Sequence, residues 1–243
     1  MNKLGKLAPR FDSRTFKLAK YMPAITPPAT VNWGAKVPSW PMYDNDTLGD
    51  CVCAAAGHLV QEWTADASAE VTLPVAAVLT MYQQVGGYVP GDPSTDNGCD
   101  MLTACKWLRN TGIGGHEIEG FGTVNPKNAL QVKSTVFALG AVYLGVALPL
   151  TAQGQKAWSV IPDDGSGSSA PGSWGGHCVP IVAYSPSGLT CITWGAPLVM
   201  TWQFLATYAD EAYGLLSPDW IAKSGMAPSN FNLSQLEADL AQL

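Results

Sequence analysis

The sequence predicts one α+β domain in which helices come first and an antiparallel β-sheet follows. Three observations predict this fold class. The chain has 243 residues, 47 % of them hydrophobic, which is enough apolar matter for one sizeable core. Apolar residues recur at helical spacing through the first half. In the second half, stretches rich in Val, Ile, Tyr and Thr are separated by turn residues, a pattern typical of strands.

The first part of the chain is rich in proline. Pro23, Pro27 and Pro28 lie within residues 1–32, and Pro38 and Pro41 follow shortly after. Proline fixes the backbone and interrupts regular elements. We therefore expect residues 1–32 to form an extended arm that leads into a domain over residues 33–221.

Four segments of the first half are predicted to be helices. The first runs from Asp50 to about Ala67, is apolar on several sides and opens with Asp50, a residue type that caps helix N-termini. The others run from Pro74 to Gln84, from Met101 to Asn110 and from Pro126 to Leu139. Pro126 is expected at the first helical position, where its missing N–H costs little.

Four segments of the second half are predicted to be strands: Ala141 to Leu148, Cys178 to Tyr184, Leu189 to Trp194 and Ala212 to Leu216. A Ser-Pro-Ser-Gly turn at residues 185–188 separates two of them. Residues 163–173 are rich in Gly and Ser. By composition they form a flexible loop, which is either a substrate lid or a tolerated surface insertion.

The end of the chain differs in character from the rest. Residues 222–231 have the composition of a linker, and residues 232–243 place Leu233, Leu236, Leu240 and Leu243 at helical spacing. We expect a linker and an amphipathic helix over residues 222–243. The helix either docks on a partner or a second copy, or folds back on its own domain.

Charge and hydropathy exclude several classes of partner. The formal net charge is −6 with only 13 Lys and Arg, so we expect neither nucleic acid nor a membrane surface as a partner. The N-terminal residues lack the apolar run of a secretory signal, and the longest apolar stretch, Ala138 to Leu150, is too short to span a bilayer. We expect a cytoplasmic protein, or one incorporated in a larger particle, with its six cysteines reduced.

Cys51 is the candidate nucleophile. It opens the first predicted helix directly after Gly49 and Asp50, so its thiol meets unpaired N–H groups and the positive end of the helix dipole, which lower a thiol pKa. Asn45, six residues earlier, could donate a hydrogen bond to an oxyanion. The alternative is a small buried cysteine that only packs.

His177 is the candidate base. It lies 126 residues after Cys51, at the start of an apolar strand, a separation typical of a cysteine nucleophile and its histidine. The residues expected to line the cleft between them are Gly49, Asp50, Trp174, Gly176 and Trp194. No His, Cys or carboxylate group has metal-ligand spacing, and no phosphate-binding loop is present, so we expect no metal and no cofactor.

Five segments together resemble the papain-like cysteine peptidases, over roughly residues 30–217. They are Asn45 to Cys51 with its Gly49, Asp96-Asn-Gly-Cys-Asp100, Leu139-Gly-Ala-Val142, Gly176-His-Cys-Val179 and Ile192-Thr-Trp-Gly195. The segments occur in the family's order. The resemblance implies a two-lobed fold, with a helical lobe and an antiparallel β-sheet lobe.

The resemblance also implies a reaction. Cys51 would attack a carbonyl carbon, His177 would relay the proton, and Asn45 with the Cys51 N–H would hold the oxyanion during acyl transfer to water. Ile192 stands where the family has the Asn that orients the histidine, and we expect Thr193 to point to the other face of its strand.

Two functions follow from these observations. The first is a thiol hydrolase of the cysteine-peptidase type that acts on a peptide or protein substrate, with a transglutaminase-like or amidase reaction as a variant. The second is an inactive papain-like scaffold in a larger assembly, such as a phage virion, which would bind a protein partner or self-associate through the C-terminal helix. In either case the arm before Trp33 is a candidate to cover the cleft.

Overall fold

A computed structural model describes residues 2–20, 26–67, 69–220 and 238. Within them lie five α-helices: α1 (Cys51–Ala67), α2 (Val75–Gly86), α3 (Met101–Asn110), α4 (Ala129–Leu139) and α5 (Trp202–Tyr208). The same residues form nine strands: β1 (Phe16–Lys17), β2 (Val31–Asn32), β3 (Gly120–Thr123), β4 (Val142–Leu148), β5 (Ala157–Trp158), β6 (Gly175–Ser185), β7 (Gly188–Thr193), β8 (Ala196–Met200) and β9 (Ala209–Leu216). The predicted α+β class is confirmed.

The nine strands join one sheet. Their order is β1-β3-β9-β4-β6-β7-β8-β5, and β2 pairs with β6 outside this path. The pairings are antiparallel except at the two ends, where β1 lies parallel to β3 and β5 lies parallel to β8. His177 of β6 stands opposite Val146 of β4. The sheet therefore places the candidate base on a central strand.

The two faces of the sheet pack against different helices. On one face, Cys178 and Ile192 belong to a buried cluster that includes α1 residues. On the other face, Val179 belongs to a second buried cluster with residues of α4 and α5. His177 packs with Trp158 of this second cluster. The alternation along β6 follows from the two-residue period of a strand.

Helix α1 is buried along most of its length because its small residues allow close packing. At Gly57 a Cβ atom would come within 2.9 Å of the Tyr43 ring. At the start of the helix, the Tyr143 hydroxyl donates a hydrogen bond to the Val52 carbonyl at 2.6 Å. The first turn of α1, which carries Cys51, is thereby fixed against β4 in the centre of the sheet.

Three of the four predicted helices are confirmed as α1, α2 and α3. The start predicted for the fourth helix at Pro126 is wrong, because α4 begins at Ala129. Asn128 sets this start, since its Oδ1 atom accepts hydrogen bonds from the backbone N–H groups of Leu130 and Gln131. An asparagine cap of this kind satisfies N–H groups that the first turn leaves unpaired.

The four predicted strands are confirmed as β4, β6, β7 and β9, with β6 and β9 each beginning three residues earlier than predicted. Helix α5 and the strands β3, β5 and β8 were not predicted from the sequence. Strands β1 and β2, which lie in the Pro-rich arm and pair with β3 and β6, were not predicted either. The arm is therefore part of the sheet at two places.

Nothing in the described part of the chain meets the length and apolarity that a membrane-crossing helix needs. The linker and amphipathic helix predicted for residues 222–243 lie outside the described residues, apart from Ala238. Their predicted docking role therefore stays a prediction.

Candidate active site

Cys51 is the first residue of α1, as predicted. The Asp50 carbonyl accepts hydrogen bonds from the N–H groups of Cys53 and Ala54 and so closes the first turn. The Cys51 side chain is only 1 % exposed. The predicted nucleophile thus sits at a helix start but has no open contact with solvent.

The chain's own N-terminal residues cover this thiol. We call residues Lys3 to Leu7 the cleft segment. The Lys6 N–H donates to the Gly176 carbonyl at 3.1 Å, so the segment bonds to the β6 side of the cleft. On the other side, the Leu7 N–H donates to the Cys99 carbonyl at 3.1 Å, and the Cys99 N–H donates to the Gly5 carbonyl at 2.9 Å.

The cleft segment approaches both walls so closely that glycine is needed at the contacts. A Cβ atom on Gly5 would lie 1.8 Å from the Gly49 carbonyl oxygen, and one on Gly176 would lie 2.2 Å from the Lys6 carbonyl oxygen. No side chain fits at either distance. The predicted cleft residues Gly49 and Gly176 therefore lie on opposite walls, with the segment between them. After the segment, residues 8–11 are exposed.

The lowered pKa expected for Cys51 is wrong for this closed arrangement. Burial, together with smaller contributions from Cys99 and Asp50 nearby, raises the pKa of the thiol to about 12. Hydrogen bonds from the backbone N–H groups of Cys178 and Gly5 to the sulfur act in the opposite direction. Loss of water around the thiolate outweighs the favourable N–H groups.

His177 lies in a box of aromatic rings. Its ring stacks on Trp194 with centroids 4.5 Å apart and an interplanar angle of 15°, and the Trp158 ring meets it edge-on at 6.3 Å. The residue is completely buried. Burial lowers the pKa of His177 to about 3, so the ring is neutral at physiological pH.

Thr193, and not Ile192, contacts the His177 ring. Thr193 and Ile192 point to opposite faces of their strand, as expected, but His177 lies on the Thr193 face, where Thr193 Oγ1 is 2.8 Å from His177 Nε2. Ile192 packs in the α1 cluster on the other face of the sheet, away from the imidazole. Thr193 supplies the polar contact to the imidazole that Ile192 cannot make.

Cys51 lies beside the backbone of Cys178, the residue that follows His177 in β6, and no direct hydrogen bond joins the Cys51 thiol to the His177 ring among the described residues. The sulfur of Cys51 accepts from the N–H of Cys178, the residue next to His177. Within the described residues, His177 Nδ1 is buried and has no hydrogen-bond partner. Nε2 of His177 therefore contacts Thr193, and Nδ1 has no hydrogen-bond partner in the described part of the chain.

Asn45 and Asp50 bond to each other. The Asn45 Nδ2 atom donates to Asp50 Oδ1 at 3.0 Å and lies 3.4 Å from the Leu48 carbonyl. Burial, partly offset by the hydrogen bond from Asn45, raises the pKa of Asp50 to about 8. The amide is engaged within the wall of the cleft, so the oxyanion role of Asn45 stays a prediction.

Trp174 and Trp194 lie on the His177 side of the cleft, and Gly49 lies on the opposite wall. The rings of Trp174 and Trp194 lie 5.7 Å apart, and Trp194 adopts a φ of 46°, an uncommon conformation for a bulky residue. Gly49 donates its N–H to Asp96 Oδ1 at 2.9 Å. Trp194 therefore covers the imidazole, while Gly49 is fixed on the opposite wall.

Three residues at the closed cleft were not predicted from the sequence: Lys6 of the cleft segment, Glu211, which pairs with Lys6, and Trp158, which contacts the His177 ring. Lys6 lies in the arm and Glu211 in β9, far from any motif. The only sequence signal for Lys6 is a positive residue next to a glycine near the N-terminus, and this pattern is too common to identify a site. Among the described residues, no group of three or more His, Cys, Asp or Glu side chains could hold a metal ion.

No family model and no curated protein matches the sequence, but solved structures match its fold. Xylellain, a cysteine protease from Xylella fastidiosa, has a TM-score of 0.68 at 15 % identity, covering 88 % of this chain and 96 % of that one. Procathepsin L 3 of Tenebrio molitor larval midgut has a TM-score of 0.60 at 13 % identity, covering 87 % and 75 %. Procathepsin B S9 from Trypanosoma congolense has a TM-score of 0.56 at 10 % identity, covering 89 % and 83 %. The chain therefore has the papain-like fold of these cysteine proteases.

Proposed function

We propose that the protein is a thiol hydrolase of the cysteine-peptidase type, with Cys51 as nucleophile and His177 as base, held closed by its own cleft segment. One observation carries the proposal. An extended stretch of polypeptide lies over the Cys51 sulfur and bonds through its backbone to both walls of the cleft, at Cys99 and Gly176. A cleft that holds one peptide backbone in this way can hold another.

The ring nitrogens of His177 fit the role of a base. If Nε2–H donates to Thr193, the unpartnered Nδ1 carries the lone pair that can take the thiol proton. Cys51 would then attack the substrate carbonyl carbon, and the C–N bond would break as Nδ1–H returns its proton to the leaving amine. Water would attack the thioester next, releasing the acid and restoring the thiol.

The closed state accounts for the unfavourable pKa values. With Gly5 against the sulfur, water is excluded and the pKa of Cys51 rises to about 12. Departure of the cleft segment would expose the thiol and the free Nδ1 to solvent. Both pKa values would then return towards the range in which a thiolate and an imidazolium coexist. Opening of the cleft is therefore the activating step.

A substitution at Gly5 tests the proposal. Because a Cβ atom there would collide with the Gly49 backbone, Gly5→Ala should expel the segment without altering Cys51 or His177. The matched control is Gly120→Ala, since a Cβ atom on Gly120 meets nothing within 4 Å. The full-length variants are compared for release of fluorescein from labelled casein.

If the proposal is right, the Gly5→Ala chain hydrolyses casein, and this activity disappears when Cys51→Ala or His177→Ala is added. The Gly120→Ala chain should hydrolyse casein no faster than the wild type. Iodoacetamide labelling of Cys51, read by peptide mass spectrometry, reports separately whether the cleft has opened. An opened cleft with no hydrolysis of casein or of a mixture of random peptides would overturn the proposal.

The second candidate is a papain-like scaffold without catalysis. It is favoured by the burial of Cys51 and by the lack of a hydrogen bond between its thiol and His177 in the described residues. In a scaffold, Gly5→Ala would raise the labelling of Cys51, but His177→Ala would leave the labelling rate unchanged. In the peptidase, loss of His177 would slow it, because the imidazole takes the thiol proton.

A further inference from the structure

Lys6 is the most deeply buried residue of the cleft segment. Its side chain is 1 % exposed, although lysine is rarely buried unless it is paired. Its Nζ atom lies 2.9 Å from Asp210 Oδ2 and 3.0 Å from Glu211 Oε1. Both carboxylates come from β9, which lies beside β4 in the sheet. One cation thus sits between two consecutive acidic residues.

The space that the lysine occupies exists because β4 carries a glycine at this point. A Cβ atom on Gly145 would lie 2.2 Å from Lys6 Cε and 2.8 Å from Asp210 Oδ1. The pairing of β4 with β9 is also irregular between Gly145 and Val146. These features form what we call the acidic pocket: Gly145 at its floor, with Asp210 and Glu211 around the bound amine.

The carboxylates of the acidic pocket stabilise the charged form of the lysine amine. Burial lowers the pKa of Lys6, but Glu211 and Asp210 raise it by more, so the pKa lies above its ordinary value and the amine stays charged. The Glu211 side chain is 8 % exposed and that of Asp210 is 25 % exposed. Without a cation, the pocket would hold two partly buried carboxylates side by side, which is unfavourable.

We propose that the acidic pocket is the specificity pocket of the cleft, and that it selects peptide substrates carrying a lysine or arginine side chain. Lys6 is then the occupant that the chain itself supplies. The inference rests on the proposed peptidase function, and it adds the class of substrate. Its basis is that the same segment which bonds through its backbone to Cys99 and Gly176 places one side chain in a closed, charged pocket.

Because Lys6 of the same chain fills the acidic pocket, the pocket can be tested without any catalytic activity. The rate of iodoacetamide labelling at Cys51 is measured in the full-length chain carrying Lys6→Met or Lys6→Arg, with Lys17→Met as the control for loss of an exposed lysine. Lys6→Met should raise the rate on the order of tenfold or more, because the buried Glu211 carboxylate and the partly exposed Asp210 carboxylate lose their cation. Lys6→Arg should stay within about fivefold of wild type, because it keeps the charge.

A rescue variant separates a charge effect from a loss of packing. Adding Asp210→Asn and Glu211→Gln to Lys6→Met makes the pocket neutral around a neutral side chain, so Cys51 should again be protected. Thermal unfolding of each variant excludes a general loss of folding. Equal labelling of wild type and Lys6→Met, or a rescue variant labelled as fast as Lys6→Met, would overturn the proposed selectivity.

Substrate cleavage then distinguishes the two proposals. The Gly5→Ala chain is incubated with a mixture of random peptides, and the cleavage products are sequenced. Enrichment of Lys and Arg at one position relative to the cut supports the inference, and its loss in Asp210→Asn with Glu211→Gln assigns it to the acidic pocket. If peptides are cleaved without a preference for Lys or Arg, the proposed selectivity is overturned, whereas the proposed peptidase function is retained. If Cys51 labelling depends on the charge at Lys6 but no peptide is cleaved, the proposed peptidase function is overturned, whereas the acidic pocket as a binding site for a cationic side chain is retained.

Discussion

His177 Nε2 and Thr193 Oγ1 lie 2.8 Å apart in the buried centre of the sheet. Trp194, the next residue after Thr193, stacks on the same imidazole ring. One turn at the end of β7 therefore both bonds the ring and covers it. Of the two ring nitrogens, Nε2 contacts Thr193 and Nδ1 has no hydrogen-bond partner within the described residues.

Thr193→Val should lower the peptidase activity of the Gly5→Ala chain about 10- to 100-fold, because a buried imidazole nitrogen loses its only polar contact. Thr193→Ser keeps the hydroxyl and should retain most of the activity. Since Thr193 acts through His177, the pH profile of kcat/KM should also change in the valine variant. Equal activity of the valine and serine variants would contradict a positioning role.

The closed cleft should show in the pH dependence of Cys51 alkylation. Because the pKa of the thiol is about 12 in the closed state, the wild-type rate should rise about tenfold per pH unit from pH 7 to 10 without a plateau. In Gly5→Ala the thiol meets water, its pKa falls, and the rate should level off at a lower pH. A plateau below pH 9 in the wild type would show that the segment does not cover the thiol.

Asn45→Ala should destabilise the protein by about 1 to 3 kcal/mol, because it leaves the buried Asp50 carboxylate without its donor. Urea unfolding at pH 8.5 measures the change, with Asn97→Ala as an exposed control. Turnover in the Gly5→Ala background tests the predicted oxyanion role separately. If turnover fell by about two orders of magnitude with no loss of stability, the amide would act on the substrate instead of on Asp50.

Glu62 gives a prediction about stability and pH. It is completely buried in α1, both carboxylate oxygens lack partners within the described residues, and burial raises its pKa well above 4.5. The folded state therefore holds a proton that the unfolded state releases. The stability contributed by the protonated group is complete below pH 4.5 and is lost as the pH rises towards the folded-state pKa.

Glu62→Gln removes this ionisation, so between pH 5 and 8 it should lose less stability than the wild type. Thermal unfolding across this range measures the difference. Glu117→Gln, at an exposed position, should follow the wild-type curve. Parallel curves for wild type and Glu62→Gln would show that the carboxyl is not protonated in the folded protein.

The regular elements around the site could be predicted because their patterns are local. Helix α1 is marked by its apolar run behind Asp50, and β6 by its Val and Ile residues. The starts of α4 and β6 were placed incorrectly for different reasons. A side-chain cap at Asn128 overrode the preference of Pro126, and the glycines before His177 carry little strand signal although they pair with β4.

The contacts that close the site could not be predicted, because they join residues far apart in the sequence. Nothing near Lys6 indicates that its partners are Asp210 and Glu211, some 200 positions away. The bond between Thr193 and His177 depends on where β7 ends relative to β6, and a shift of one residue reverses the side of a strand. The register of the sheet therefore decides that Thr193, and not Ile192, contacts the His177 ring.

The exposed residues 8–11, which join the cleft segment to the rest of the chain, affect how a free peptide competes with that segment for the cleft. A short tether keeps its end at an effective concentration in the millimolar range, so a free peptide must be abundant or bind very tightly to displace the cleft segment. Cutting the backbone within this link would leave every contact of the segment unchanged. The segment would then dissociate like any ligand, and dilution alone would make the opening irreversible.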